Sequence, residues 1–131
     1  MIKKDDINKI KEACSRVKPI NYAFLFGSVT KRMRPDSDID ILLDGKITSS
    51  QRINLAMELE FILKRKIDIV LAQEASCELV LTAFSRGIPL LIRNKRNLKQ
   101  DYLKNFYLYD DGQNLREIRT ARIKNRYVRG Q

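Results

Sequence analysis

Three aspartates and one glycine–serine pair are the residues of this sequence best placed to do chemistry. Asp38 and Asp40 lie two apart in Ser37-Asp38-Ile39-Asp40-Ile41-Leu42-Leu43, and Asp68 lies later in Lys66-Ile67-Asp68-Ile69-Val70. In a β-strand, residues i and i+2 point the same way, so Asp38 and Asp40 are expected on one face, with Ile39, Ile41 and Leu43 on the other. If the strand carrying Asp68 is a neighbour, a third carboxylate joins that face. Three carboxylates at close range raise one another's pKa, and a divalent cation relieves the cost. Oxygen-only donors suit Mg²⁺ or Mn²⁺ rather than zinc. Gly27-Ser28 stands ten residues before Ser37, at the end of an apolar run. A glycine there lets backbone N–H groups approach a phosphate, and the Ser28 hydroxyl adds a donor. Lys31, Arg32 and Arg34 follow and can neutralise a polyphosphate. A phosphate cradle beside carboxylate-held Mg²⁺ points to nucleotide chemistry.

Other readings fail on composition or spacing. The chain has no His, which excludes Ser-His-Asp and Cys-His catalysis, imidazole-dependent zinc sites and a His general base. Asp36-Ser37-Asp38-Ile39-Asp40 begins like a calcium loop, but Ile41 stands where that loop needs Gly and Ile47 where it needs Glu. Neither G-x-x-x-x-G-K-[ST] nor G-x-G-x-x-G is present. A charged surface strand edge explains either aspartate cluster alone, with Asp68 paired to Arg65 or Lys66. The joint pattern of strand, Gly-Ser, paired Asp and later Asp is explained better as a site.

The elements that must position these residues are legible as periodicities. Ile7, Ile10, Cys14 and Val17 recur at helical spacing over residues 5–17, and Pro19 ends the run. Residues 20–26, 38–43 and 67–71 read as short strands. A helix from a Ser49 or Ser50 cap to about Arg65 is expected between the last two, with Ile53, Ala56, Met57, Glu60, Phe61 and Leu63 facing inward. Residues 75–86 read as a helix stopped by Gly87 in a left-handed cap, and Pro89–Ile92 as a short strand. Leu98, Tyr102, Phe106 and Tyr109 give a further helix an aromatic stripe, which Gly112 is expected to interrupt. The stripe and the two cysteines are expected to be core.

The 131 residues carry a net charge of +10, and 44% are hydrophobic, enough for one packed domain with an appendage. Residues 93–131 hold 11 Lys+Arg against 4 Asp+Glu, whereas residues 1–92 hold 15 against 12. The division expected is a core over 1–92 and a basic helical tail over 93–131 that docks a partner. A solvated helical face explains the same charges. Cys14 and Cys77 lack C-x-x-C spacing, and neither a membrane span nor a signal peptide is apparent, so a reduced cytoplasmic protein without membrane contact is expected.

Gly27-Ser28, the basic spacer, Ser37-Asp38-Ile39-Asp40 and Asp68 together resemble the minimal nucleotidyltransferase (MNT) family of the DNA polymerase β-like superfamily, over about residues 20–92. The resemblance implies an α/β (α+β) fold, a small mixed sheet flanked by helices, with the basic helical extension following it. It implies a nucleoside triphosphate, ATP, bound with two Mg²⁺ ions, Mn²⁺ being an alternative. Gly27, Ser28, Lys31, Arg32 and Ser37 would bind the nucleotide, and Asp38 and Asp40 would ligate both metals. Asp68 would ligate the catalytic metal and help activate the incoming hydroxyl. The sequence departs from the family pattern at Lys31, which replaces an Arg, at Arg32, which replaces a second Gly, and in a spacer one residue shorter. Lys keeps the charge and loses the bidentate fork.

A chain of this length has no evident room for a substrate domain, so the acceptor is expected on a partner. Minimal members resemble the antitoxin half of HEPN/MNT toxin–antitoxin pairs, in which AMP is added to a tyrosine of the partner ribonuclease. The resemblance thus implies an antitoxin transferring AMP to a cognate HEPN-type toxin within a hetero-oligomer. A non-catalytic module that neutralises a partner by contact alone is the alternative. An RNA-binding role for the tail is a third, weaker reading, in which nucleic acid is met weakly or through the partner.

Overall fold

The computed structural model describes residues 2–27 and 38–124, with side chains through residue 110. Helix α1 (Lys4–Ser15) leads into β1 (Ile20–Phe26) and, beyond the intervening segment, β2 (Ile39–Gly45). Then come α2 (Ser49–Leu63), β3 (Ile67–Leu71), a 3₁₀ turn (Ala72–Glu74), α3 (Cys77–Arg86), β4 (Ile88–Ile92) and α4 (Lys95–Lys124). The four strands form one mixed sheet in the order β3-β2-β1-β4. β1 is antiparallel to both β2 and β4, while β2 and β3 run parallel with α2 as their crossover.

Alternation along the strands divides the core into two layers. On one face Ile10 and Cys14 of α1 and Leu55 and Leu59 of α2 pack on Leu25, Ile39, Ile41 and Ile69. On the other, Val80 and Ala83 of α3 cover Tyr22, Phe24 and Leu42, with Leu98 of α4 at the margin. Asp40 alternates with Ile39 and Ile41 and so belongs to this second face, at the end that no described helix covers. Burial pushes the Cys14 thiol up to about 12, with the Glu58 carboxylate adding to the effect, so Cys14 stays a neutral thiol within the first layer.

Polar bonds fasten the first turns of α4. The Tyr22 hydroxyl donates to Asp101 Oδ2 at 2.7 Å, and Asp44 Oδ2 accepts from Asn21 Nδ2 at 3.0 Å and from Asn97 Nδ2. Burial and the Asp101 carboxylate push the Tyr22 phenol well above its ordinary range, so it remains a donor. The Arg93 guanidinium reaches back to the carbonyls of Val17 at 2.8 Å and Lys18 at 2.9 Å, closing the chain that follows α1.

The structure departs from the sequence reading at several points. Thr48, not Ser49 or Ser50, caps α2: its hydroxyl accepts from Gln51 N at 3.1 Å while its own N–H donates to Gln51 Oε1 at 2.9 Å. The inward residues of α2 are Leu55 and Leu59, whereas Ile53, Met57 and Phe61 face solvent at 55%, 61% and 75% exposure. Gly87 is extended (φ −80°, ψ 175°) rather than left-handed. A Cβ there would lie 2.3 Å from the Ala83 carbonyl oxygen and 2.6 Å from that of Leu25. α4 runs through Gly112 without a break. Its aromatic residues are not core, for Tyr102, Phe106 and Tyr107 stay 44%, 44% and 61% exposed. No helix among the described residues is long and apolar enough to cross a membrane.

The two faces of α2 separate in a mutational test. Leu59→Ala is expected to lower unfolding free energy by about 2–5 kcal/mol through the cavity it leaves, and Phe61→Ala to shift it by no more than about 0.5 kcal/mol. Urea titration followed by circular dichroism measures both, and equal losses would contradict this placement of α2.

Candidate functional site

The three aspartates gather where β1 ends and β2 and β3 begin. Asp40 pairs across the antiparallel ladder with Phe26, the last residue of β1, and across the parallel ladder with Asp68. Asp38 stands one residue before β2 and is exposed, as is Asp68, while Asp40 is half-buried between them. The strand that the sequence suggested from residue 38 therefore begins at Ile39. The alternation still turns Asp38 and Asp40 away from buried Ile39 and Ile41. The same alternation sets Asp68 between buried Ile67 and Ile69.

Gly27 closes the other side of this end of the sheet. Its φ is +85°, a left-handed value that side chains disfavour. A Cβ at this position would lie 2.5 Å from Asp40 Oδ2. The glycine is thus required twice, once by the turn out of β1 and once by the carboxylate that packs against its Cα. Ser28, Lys31, Arg32 and Ser37, along with Arg34, lie outside the described residues, so of the expected phosphate cradle only Gly27 is placed.

Burial first, then the charges of Asp68 and Asp38, hold the Asp40 carboxyl above its ordinary range. A half-buried carboxylate raised by two like charges is the electrostatic condition that a cation relieves. Among the described residues no three His, Cys, Asp or Glu side chains are drawn into a ready metal cage. The two outer carboxylates are exposed, and without a counter-charge repulsion favours their standing apart. The donor chemistry nonetheless fits a hard cation such as Mg²⁺ or Mn²⁺, since every donor here is a carboxylate oxygen.

Sequence reasoning did not anticipate the ladder of aromatic rings on the same face of the sheet. Phe24 meets Phe84 with ring centroids 5.1 Å apart, Phe84 meets Tyr102 at 6.4 Å, and Tyr102 meets Phe106 at 6.3 Å. Phe24, Phe84, Leu98 and Tyr102, with Lys95 and Lys99, line a cavity of about 440 Å³ between α3 and α4. The four-residue steps Leu98-Tyr102-Phe106 were visible in the sequence; that the stripe packs on Phe84 at its inner end alone was not, because it depends on how far α4 outruns α3.

A family model for polymerase beta nucleotidyltransferases matches residues 8–96. Among solved structures, a mutant MntA–HepT toxin–antitoxin superposes with a TM-score of 0.72 at 22% identity, covering 90% of this chain and 98% of that chain. A tri-AMPylated Shewanella oneidensis HEPN toxin in complex with an MNT antitoxin gives 0.69 at 21% identity, over 94% of this chain and 99% of that one. A toxin–antitoxin with AMP-PNP gives 0.69 at 22%, over 94% and 99%. At such identities the likeness is one of fold. No curated protein matches the chain significantly.

The electrostatics make a prediction that needs no assay of activity. Asp40→Asn removes the charge that burial, Asp68 and Asp38 disfavour, so the metal-free variant is expected to melt higher than wild type at neutral pH. The sign reverses the usual carboxylate case: the folded pKa lies above the unfolded one, so ionisation costs stability above the folded pKa, and the cost vanishes as acid protonates Asp40 in both states. The gain should therefore shrink as pH falls into the carboxylate range. Added Mg²⁺ should raise the melting temperature of wild type and leave the variant nearly unmoved. Calorimetry across pH and Mg²⁺ concentration checks both, and a variant that melts lower at neutral pH would refute the repulsion.

Proposed function

The chain belongs to the polymerase beta nucleotidyltransferase family, and from that membership we propose that it transfers AMP from ATP, with Mg²⁺, to a tyrosine hydroxyl of a cognate HEPN-type toxin. The observation that carries this reading is the gathering of Asp38, Asp40 and Asp68 against Gly27 at one end of the sheet. Solved structures of like fold lend it support, being named as toxin–antitoxin complexes, one with a tri-AMPylated HEPN toxin and one with AMP-PNP. The recipient thereby acquires a modified side chain, and in this reading the chain acts as its antitoxin.

In the proposed reaction the acceptor oxygen forms a bond to the α-phosphorus of ATP, and the bond from that phosphorus to the bridging oxygen breaks. Pyrophosphate leaves with the electron pair, and the hydroxyl proton is lost to a base. The bound Mg²⁺ ions would offset the phosphate charge and the repulsion among the three carboxylates. Asp38 and Asp40 would hold them. Asp68 would share in that hold and help draw the proton from the acceptor. Gly27, with no side chain, would let the triphosphate approach its backbone, and Ser28, Lys31, Arg32 and Ser37 would bind the rest of the nucleotide. The role proposed for residues 93–131 is docking: α4 is tied to the core through Asn97 and Asp101 and then continues as a basic helix suited to a partner surface.

The test combines the protein, isotopically labelled ATP, Mg²⁺ and the HEPN-type product of a neighbouring gene. Label is expected on a tyrosine of the toxin, and Asp68→Asn is expected to slow its appearance by roughly 10²–10⁴-fold. Neutralisation of the toxin by Asp38→Asn and Asp40→Asn variants as complete as that by wild type, with no label moving, would replace this reading with neutralisation by contact alone.

A further inference from the structure

The cavity between α3 and α4 shares no described residue with the carboxylate cluster, and its walls have a chemistry of their own. Phe24 contributes from β1, Phe84 from α3, and Lys95, Leu98, Lys99 and Tyr102 from α4. The last four fall at i, i+3, i+4 and i+7, one stripe of the helix. Phe24 stands in β1 with Leu42 and Pro89 as ladder neighbours, whereas Asp40 and Asp68 stand side by side in β2 and β3. The volume, about 440 Å³, falls within the roughly 300–1,000 Å³ of cavities that hold small molecules.

Charge and ring chemistry together say what would fill it. Lys95 and Lys99 lie in the opening turns of α4, whose first turn holds no acidic residue. The positive end of a helix favours anions there, and like charges four residues apart oppose each other. Among the described residues neither lysine has a carboxylate within ion-pair distance. Asp101, the first carboxylate of α4, already accepts from the Tyr22 hydroxyl at 2.7 Å. Side chains at this spacing have Cβ atoms about 5–6 Å apart, so both ammonium groups can reach one phosphate, whose double charge answers two lysines where a carboxylate answers one. The rings supply the rest. Phe84 lies 5.1 Å from Phe24 and 6.4 Å from Tyr102 between centroids, and Tyr102 keeps 44% of its surface exposed, which leaves ring surface for a planar ligand. Ser85, also in the wall, gives its hydroxyl proton to the Leu81 carbonyl at 2.9 Å and keeps its lone pairs for an N–H donor. A phosphate-bearing ring comes as a nucleotide or as a phosphorylated tyrosine. The volume and the acceptor at Ser85 favour a base with an amino group over a bare phenyl ring.

We propose that this cavity is a nucleotide site that needs no metal, taking a nucleoside monophosphate with its phosphate between Lys95 and Lys99 and its base against Phe84 and Tyr102. The inference stands on the cavity and does not require the transfer reaction. An open cavity with two exposed cations holds its ligand weakly, so AMP should dissociate with a constant of roughly 0.1–1 mM at low salt, rising as added salt screens the lysines.

Nuclear magnetic resonance of the isotopically labelled full chain, titrated with AMP in the presence of EDTA, reads the proposal directly. Without metal the aspartates repel a phosphate, so the carboxylate end contributes little. Shifts are expected at Phe84, Ser85, Leu98, Lys99 and Tyr102, and adenosine and phenyl phosphate should each bind at least fivefold more weakly than AMP. Lys95→Ala with Lys99→Ala should weaken AMP at least fivefold and leave adenosine unchanged, at an unaltered melting temperature, since both lysines are exposed. Tyr102→Ala should weaken AMP and adenosine alike, and Tyr102→Phe, which keeps the ring, should restore both. Shifts confined to Gly27 and the aspartates, or none at saturating AMP, would overturn the proposal. So would AMP binding that survives loss of both lysines. Phenyl phosphate binding as tightly as AMP would hand the cavity to a phosphorylated tyrosine, and the proposal is equally lost. Failure of label transfer to a toxin would leave these shifts in place, so the two readings fail separately.

Discussion

The register of the two parallel strands is the constraint on which the site depends. Asp40 stands beside Asp68 because Ile39 stands beside Ile67 and Ile41 beside Ile69. Those four isoleucines are all buried, each contributing roughly 1.5–3 kcal/mol. Two carboxylates about 5 Å apart, in surroundings of effective dielectric 20–80, repel by roughly 1–3 kcal/mol. The buried side of the ladder therefore outweighs the charged side, and a slip of one residue would exchange the two faces of the strand. Repulsion is tolerated at one end of the sheet because burial elsewhere leaves it no alternative.

Parallel strands cannot be joined by a tight turn, so this register also dictates α2. Thr48 and Gln51 start the helix with reciprocal bonds, and Lys64 ends it in the left-handed conformation (φ 57°), after which Ile67 enters β3. Leu55 and Leu59 are the residues that rest on the sheet. The Arg52 guanidinium donates through Nε to the Ile69 carbonyl at 3.1 Å and through Nη1 to Glu74 at 3.1 Å, fastening the crossover to β3 and to the turn that follows it. Gly27 performs the corresponding service on the β1 side, giving up a side chain so that Asp40 can pack against its backbone. The property that suits a glycine to a phosphate turn and the one that makes room for the carboxylate are the same absent Cβ.

Strands β1 and β3 were legible because each is a short apolar run between breakers or polar residues, and their bounds, Ile20–Phe26 and Ile67–Leu71, follow those runs. The aspartate spacing was legible for the same reason, since a period of two admits few arrangements. The inward face of α2 was not, because Leu55 and Leu59 on one side and Ile53, Met57 and Phe61 on the other both satisfy a helical period. Periodicity identifies an apolar stripe without saying which of two stripes the sheet takes, and the crossover geometry decides. Gly87 misled in another way: its position after α3 matched a left-handed cap, while the observed need is close approach to two carbonyls, that of Ala83 in the preceding turn and that of Leu25, the latter about 60 residues away in sequence where no local pattern encodes it. Gly112 failed to break α4 because one glycine costs a helix only about 1 kcal/mol, which neighbouring turns can absorb.

The two faces of the sheet have different fates as a consequence. On the face of α1 and α2 the layer beneath the helices is closed, and what remains outward is a narrow apolar ridge of Ile53, Met57 and Phe61. On the face of α3 and α4, cover by the described residues stops short of the carboxylates at one end, and the aromatic ladder from Phe24 through Phe84 to Tyr102 and Phe106 climbs out of the core at the side. The proposed reaction needs that end of the sheet to stay open to a nucleotide and a bulky acceptor.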